Sequence, residues 1–138
     1  MRPFVAGVHE VGDLLALARR DLALAEAMTS DSLDWTEIMA YNSMLQSGRA
    51  LMFHRGYRPA GESHHLAVIA FLERELGDAD HDLIISMMNL RKKRNIALYS
   101  RTGTVSENEA AAAVSSARSL LGVVEFAVGG FHEKRVEP

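Results

Sequence analysis

Leu90-Arg91-Lys92-Lys93-Arg94-Asn95-Ile96-Ala97-Leu98-Tyr99 sets four consecutive basic residues into the second half of an apolar helical stripe. On a helix, the neighbours of position 94 lie three, four and seven residues away, and those positions hold Met87, Leu90, Arg91, Ala97 and Leu98. Four consecutive residues sweep roughly 300° of helix, so the basic run cannot all face water if the helix packs on anything. A guanidinium at position 94 must then be paired, lie at an interface, or line a site, because a buried unpaired charge is costly.

Outward from this stretch, the spacing of apolar residues predicts five helices and no convincing strand. The first covers about Val8 to Met28, with Leu14, Leu15, Leu17, Ala18, Leu22, Ala25 and Met28 as its stripe and Arg19, Arg20 and Asp21 as its wet side. Thr29 to Ser32 reads as a loop. The second runs from about Trp35 to Arg55, opened by Asp34 with Glu37 at capping-box spacing. Ile38, Tyr41, Leu45, Gly48, Leu51 and Met52 repeat along it, and the small Ser47 and Gly48 invite close approach of another backbone. Gly56 can end it, and Arg58-Pro59-Ala60-Gly61 is a turn.

The third helix spans about Ser63 to Leu76, with Leu66, Ile69, Ala70 and Leu76 as its apolar side and Gly77 as its stop. The fourth runs from about Asp80 to Tyr99, its acids at the positive N-terminus and its basic residues towards the C-terminus. The fifth opens on a capping box, Ser106 with Glu109, and runs to about Val128, with Val114, Ala117, Leu121 and Val124 inward. Gly129-Gly130 is expected to end it, leaving Phe131 to Pro138 as a loosely held tail. Short connections and the lack of an internal repeat predict an all-α fold: one antiparallel bundle of four to five helices over residues 1–138.

The chain has 138 residues, 48% of them apolar, enough for one hydrophobic core. It has no Cys, which excludes disulfides, thiolate metal sites and a Cys nucleophile. No apolar run reads as long enough to span a bilayer and no signal-peptide core opens the chain, so a cytoplasmic protein without membrane contact is expected. Net charge is −3, yet Leu83 to Ser106 contains no acid while carrying Arg91, Lys92, Lys93, Arg94 and Arg101. A locally basic region on an acidic protein suits a confined phosphate-binding surface; a solvated charged face is the plainer alternative.

The fourth helix with its Arg94-Asn95-x3-Tyr99 ending, the loop after it, and Val105-Ser-Glu-Asn-Glu-Ala110 resemble HEPN domains (higher eukaryotes and prokaryotes nucleotide-binding). The second helix is similar too, at Tyr41, Gly48-Arg-Ala-Leu51 and Gly56-Tyr57; the likeness covers roughly Leu33 to Phe126. The resemblance implies a helical bundle that forms a homodimer, with the Arg-x4-6-His motifs of two subunits facing each other in a cleft. Many such domains are metal-independent endoribonucleases, often toxins of toxin–antitoxin systems encoded beside a minimal nucleotidyltransferase. Others have lost catalysis and act as binding or partner modules. Arg94 matches the signature Arg and Asn95 the polar residue after it. Tyr99 stands where His is usual, which is a departure.

Metal-free RNA cleavage needs a proton taken from the 2′-hydroxyl, a stabilised phosphorane and a proton given to the leaving oxygen. Arg94 suits the second task, being permanently charged and able to grip phosphate with two N–H groups. Asn95 can orient a phosphate or ribose hydroxyl. Tyr99 can donate a hydrogen bond or stack on a base, but with a pKa near 10 it is a poorer base than His. Arg91, Lys92, Lys93 and Arg101 are the candidate RNA or phosphate contacts. Binding of RNA or a nucleotide is thus expected ahead of efficient cleavage, with no cofactor and no metal. A different class of function, a non-catalytic module for dimerisation or partner docking, fits the same residues. Arg94 can also be a structural Arg paired with Glu37 or Glu109.

The remaining candidates are weaker. His64 and His65 are adjacent, so their side chains diverge by about 100° and do not chelate one metal readily. They read as surface or helix-start residues. Asp78, Asp80 and Asp82 lack the Gly and distal Glu of a calcium loop. Met39, Met44, Met52, Met87 and Met88 read as core filler.

Overall fold

A computed structural model describes the backbone of residues 2–3, 8–28, 32–58, 64–99 and 105–136, and the side chains of residues 9–28, 32–58, 64–93 and 105–129. Among the described residues the chain forms five α-helices: α1 (Val8–Ala27), α2 (Leu33–His54), α3 (His64–Leu76), α4 (His81–Tyr99) and α5 (Glu107–Val136). The all-α bundle expected from the apolar spacing is the fold observed. A 3-10 turn, Asp78–Asp80, leads into α4. One pair of two-residue strands lay outside the expectation: β1 (Arg2–Pro3) pairs antiparallel with β2 (Tyr57–Arg58), Arg2 opposite Arg58 and Pro3 opposite Tyr57. A segment this short carries no apolar alternation, so the sequence holds no periodic signal for it.

The helix directions follow from side-chain pairs. Arg19 and Glu26 of α1 meet Glu125 and Arg118 of α5, so a step up α1 is a step down α5. Ser86 and Lys93 of α4 meet Ser116 and Glu109 of α5 in the same reversed order. In contrast, Tyr41 and Arg55 of α2 meet His65 and Glu75 of α3 in rising order, so these two helices run in the same sense. This pair departs from the antiparallel arrangement expected of neighbouring helices.

Helix α2 is the centre of the bundle. Tyr41, Met44, Leu45, Leu51 and Met52 are buried together, against Leu14, Leu15, Ala18 and Leu22 of α1, Val68 and Leu72 of α3, Ile84 and Met87 of α4, and Val114, Ala117 and Leu121 of α5. At Gly48 α3 packs close against α2: a Cβ there would lie 2.5 Å from Val68 Cγ1 and 2.9 Å from Leu72 Cδ1. Met44, Met52 and Met87 fill the core as expected, whereas Met88 is 37% exposed. On α3 the buried residues are Val68, Ile69, Phe71 and Leu72, and Leu66 is half exposed. Asp21, expected on the wet side of α1, is buried and receives two hydrogen bonds from Arg20 at 3.0 and 3.1 Å.

The helix ends differ in how far they follow their local signals. The fifth helix begins on the capping box as expected: Glu109 N–H donates to Ser106 Oγ at 3.1 Å, and Ser106 N–H donates to Glu109 Oε1 at 2.9 Å. Helix α2 instead begins two residues before Trp35, with Ser32 as N-cap accepting from Trp35 N–H at 3.3 Å. Glu37 is thereby freed from capping and lies in the interior. Gly56 and Gly77, at φ 91° and 69°, end α2 and α3 in the left-handed region where glycine is favoured.

Gly129-Gly130 does not end α5, whose backbone stays helical to Val136. Glycine weakens a helix without forbidding it. Over Glu107–Gly129 this helix is also long and apolar enough to cross a membrane by length and composition, contrary to the sequence reading. Its Val114, Ala117, Leu120, Leu121 and Val124 are buried in the bundle. The Thr29-Ser30-Asp31 part of the expected loop and the Pro59-Ala60-Gly61 turn lie outside the described residues.

Candidate functional site

The basic run sits where α4 passes between α2 and α5. Lys93 Nζ donates to Glu37 Oε2 at 2.7 Å and to Glu109 Oε2 at 3.2 Å, joining three helices at one ammonium. The Glu37 side chain is 7% exposed and that of Lys93 35%. The two acids weighed as partners for Arg94 thus both bind Lys93. Lys93, expected to contact phosphate, has carboxylates as its partners.

The electrostatics follow from this geometry. Burial works to lower the proton affinity of Lys93. The hydrogen bonds and charges of Glu37 and Glu109 outweigh it and hold the lysine above its ordinary value. Glu109 is held below the usual carboxylate range, first by the Ser106 backbone N–H and then by Lys93. One carboxylate therefore caps α5 with one oxygen and ties down α4 with the other.

Beside this clamp, a groove of ≈ 410 Å³ lies between α4 and α5, lined among others by Asp82, Ile85, Ser86, Asn89, Leu90 and Lys93. Ser86, one of the lining residues, donates from Oγ to Ser116 Oγ of α5 at 2.9 Å. On the outer side of α4, Asp82, Ile85, Met88, Asn89 and Lys92 are exposed, and Arg91 is half-buried.

The α4 backbone continues unbroken past the clamp to Tyr99, so positions 95 and 99 stand one turn apart and position 94 follows directly on Lys93. The side chains of Arg94, Asn95 and Tyr99 lie outside the described residues, as does the whole of Arg101. Of the expected site, the structure thus describes Arg91, Lys92 and Lys93 in side-chain detail, and of the other three the helical backbone alone.

A second polar cluster links α2 and α3. The buried Tyr41 hydroxyl lies 3.0 Å from His65 Nδ1, and the His64 and His65 rings meet edge-on at 4.6 Å. Both histidines open α3, as expected, but they are half-buried and not free on the surface. Among the described residues no group of three or more His, Cys, Asp or Glu is arranged to hold a metal ion.

The sequence admits Glu37 both as a cap, because Asp34-x-x-Glu37 has that spacing, and as a partner of Arg94; the structure makes it the partner of Lys93. The signal that could have found its interior place is its position one residue before Ile38 and four before Tyr41, on the buried side of the central helix. An acid there requires a cation from a neighbouring helix.

No curated protein matches the chain. The HEPN domain model matches residues 11–127, from the first buried residue of α1 to the last turns of the α5 core, and with the five-helix bundle this establishes that the chain belongs to the HEPN domain family, whose functions are nucleotide- and RNA-related.

Proposed function

We propose that this protein is a homodimeric, cytoplasmic RNA- or nucleotide-binding HEPN protein that acts as a metal-independent endoribonuclease toxin, with a minimal nucleotidyltransferase as its partner protein. The observation that carries the reading is the position of Arg94-Asn95 immediately after the Lys93 clamp. By tying α4 to both α2 and α5, the clamp sets the rotation of the helix from which residue 94 projects. Arg94 is the phosphate ligand of this reading and the group that stabilises a phosphorane. Asn95 and Tyr99, one turn apart, orient the ribose and offer a hydroxyl or a stacking face. Arg91, Lys92 and Arg101 supply the surrounding positive potential, and Lys93 acts as the positioning residue.

The two-fold part of the reading is supported by the outer face of α4. Asp82, Ile85, Asn89 and Lys92 recur there at helical spacing, and all four are exposed. A second copy docked antiparallel would set its Lys92 against Asp82 and its Asn89 against Ile85, a self-complementary pattern that a two-fold axis requires. The exposed Ile85 and Met88 also favour the second reading, a docking module without catalysis. Purified protein incubated with total RNA in chelator separates the two. Wild type that degrades RNA while Arg94→Ala does not supports the nuclease. Intact RNA in both supports the docking module, and cleavage that survives Arg94→Ala removes the assignment of this site.

A further inference from the structure

Towards the other end of α2 a half-buried arginine has no counter-ion among the described residues. Arg49 donates from Nη1 to the neutral Gln46 Oε1 at 3.0 Å, and its Nε is shut off from solvent with no acceptor. Among the described residues no carboxylate reaches it. The nearby charge is instead another cation, Arg58 on β2. Burial, and after it the Arg58 charge, pull Arg49 below the usual arginine value. Arg58 itself is held in place: its guanidinium lies 5.4 Å from the centre of the Phe53 ring, and Glu10 stands 3.7 Å away at the surface. The β1–β2 register then sets a further arginine, Arg2, directly opposite Arg58.

A like charge beside a desolvated guanidinium costs stability. On a protein of net charge −3, crowding arginines at one place makes physical sense when an anion completes the set. From this arrangement we propose that Arg49 and Arg58 form a phosphate-binding site at the α2–β2 end of the bundle. The guanidinium pair is suited to a phosphate because Arg58 can present two parallel N–H groups to its oxygens and Arg49 the N–H groups of its Nη atoms that Gln46 leaves over, its Nε being enclosed. Phe53 keeps the Arg58 plane fixed, and Gln46 does the same for Arg49. The site is separate from the α4 segment: Glu37, which holds Lys93, and Arg49 are separated by about 18 Å of α2 axis. The ligand is the phosphate group, supplied either by a small phosphorylated molecule or by the backbone of RNA running over this end of the bundle.

Thermal unfolding of the full chain tests this at constant ionic strength, with inorganic pyrophosphate in one arm and a short single-stranded RNA in the other. Pyrophosphate is expected to raise the melting temperature by several degrees. In Arg49→Gln that rise is reduced, while the melting temperature without anion stays the same or increases, because an uncompensated cation has been removed. Arg58→Gln, at an exposed position, weakens pyrophosphate at least tenfold. The comparison is also made in the Arg94→Ala background, because Arg94 is a phosphate ligand of the proposed function: there pyrophosphate still raises the melting temperature, and adding Arg49→Gln removes the rise. An RNA arm whose affinity falls in Arg49→Gln by more than the pyrophosphate arm identifies RNA as the source of the phosphate; the reverse identifies a small molecule. The proposal is overturned if Arg49→Gln responds to both ligands as wild type does, if neither ligand shifts the wild type, or if Arg49→Gln melts lower in the absence of anion. Loss of the response in Arg94→Ala overturns the separateness of the site.

Discussion

Lys93 and Glu37 meet at 2.7 Å across the seam between α4 and α2. The acid is buried and the lysine one-third exposed, so the pair stands between the exposed kind, which contributes little, and the buried kind, whose breakage is severe. Lys93→Met strands the Glu37 charge and is expected to destabilise the fold by about 1–3 kcal/mol. Adding Glu37→Gln should recover most of that loss, since the stranded charge is gone. A double-mutant cycle in urea reads the coupling directly; a coupling near zero would mean that the two side chains act independently.

The same clamp makes a pH prediction with a definite sign. The proton affinity of Lys93 is raised in the fold, so its stabilisation is complete below the unfolded lysine value, near 10.4, and fades as pH rises through the higher folded value. Glu109 is lowered, so its contribution is complete above the unfolded carboxylate value, near 4.3, and fades as pH falls through the folded one. The stability difference between wild type and Lys93→Met should accordingly be flat between roughly pH 5.5 and 9.5 and shrink at both extremes. Urea unfolding of both proteins across the range checks this. A difference that grows with alkaline pH would contradict the assigned partners.

Two helical glycines should answer the same substitution with opposite signs. Gly48→Ala places a Cβ 2.5 Å from Val68 Cγ1, on a branched side chain that has no room to swing away. Overpacking outweighs the gain in helix propensity, and a net loss of about 1–2 kcal/mol is expected. Gly122→Ala in α5 meets nothing within 4 Å and should stabilise, by about 0.5–1 kcal/mol. Denaturant midpoints of the two variants decide it, and a stable Gly48→Ala would show that α3 can move away from α2.

Much of the fold was legible because helical burial is periodic. Leu14, Tyr41, Leu51 and Val114 were placed inward by spacing alone, and Ser106 with Glu109 by its cap. What escaped was long-range. Ser32 competes with Asp34 as a cap, and only the position of Glu37 in the bundle, beneath Lys93, decides between them. The shared direction of α2 and α3 depends on a connection whose path no local propensity encodes. Gly129-Gly130 reads locally as a stop, yet the helix passes through it. At the site, the need for an acid near the basic run was legible, and so were the two acids. Which cation of the run they would choose depended on the rotation of α4, a tertiary quantity.

That rotation also frames the test of the Tyr99 position. If the proposed nuclease reading holds, phosphate binding and proton transfer should come apart under substitution. Arg94→Ala is expected to lower RNA affinity and abolish cleavage together, since it removes the group opposite the phosphate. Tyr99→His should leave affinity within about twofold, because either ring can stack or donate a hydrogen bond. It should raise any cleavage rate by about 10²-fold or more near neutral pH, where an imidazole with a pKa near 6.5 exchanges protons and a phenol near 10 does not. The gain should fall off below about pH 6, as the base becomes protonated. Single-turnover cleavage of a labelled RNA measured across pH, alongside binding by the same variants, reads both quantities. Tyr99→His with unchanged binding and no gain in rate would assign this end of α4 to binding alone.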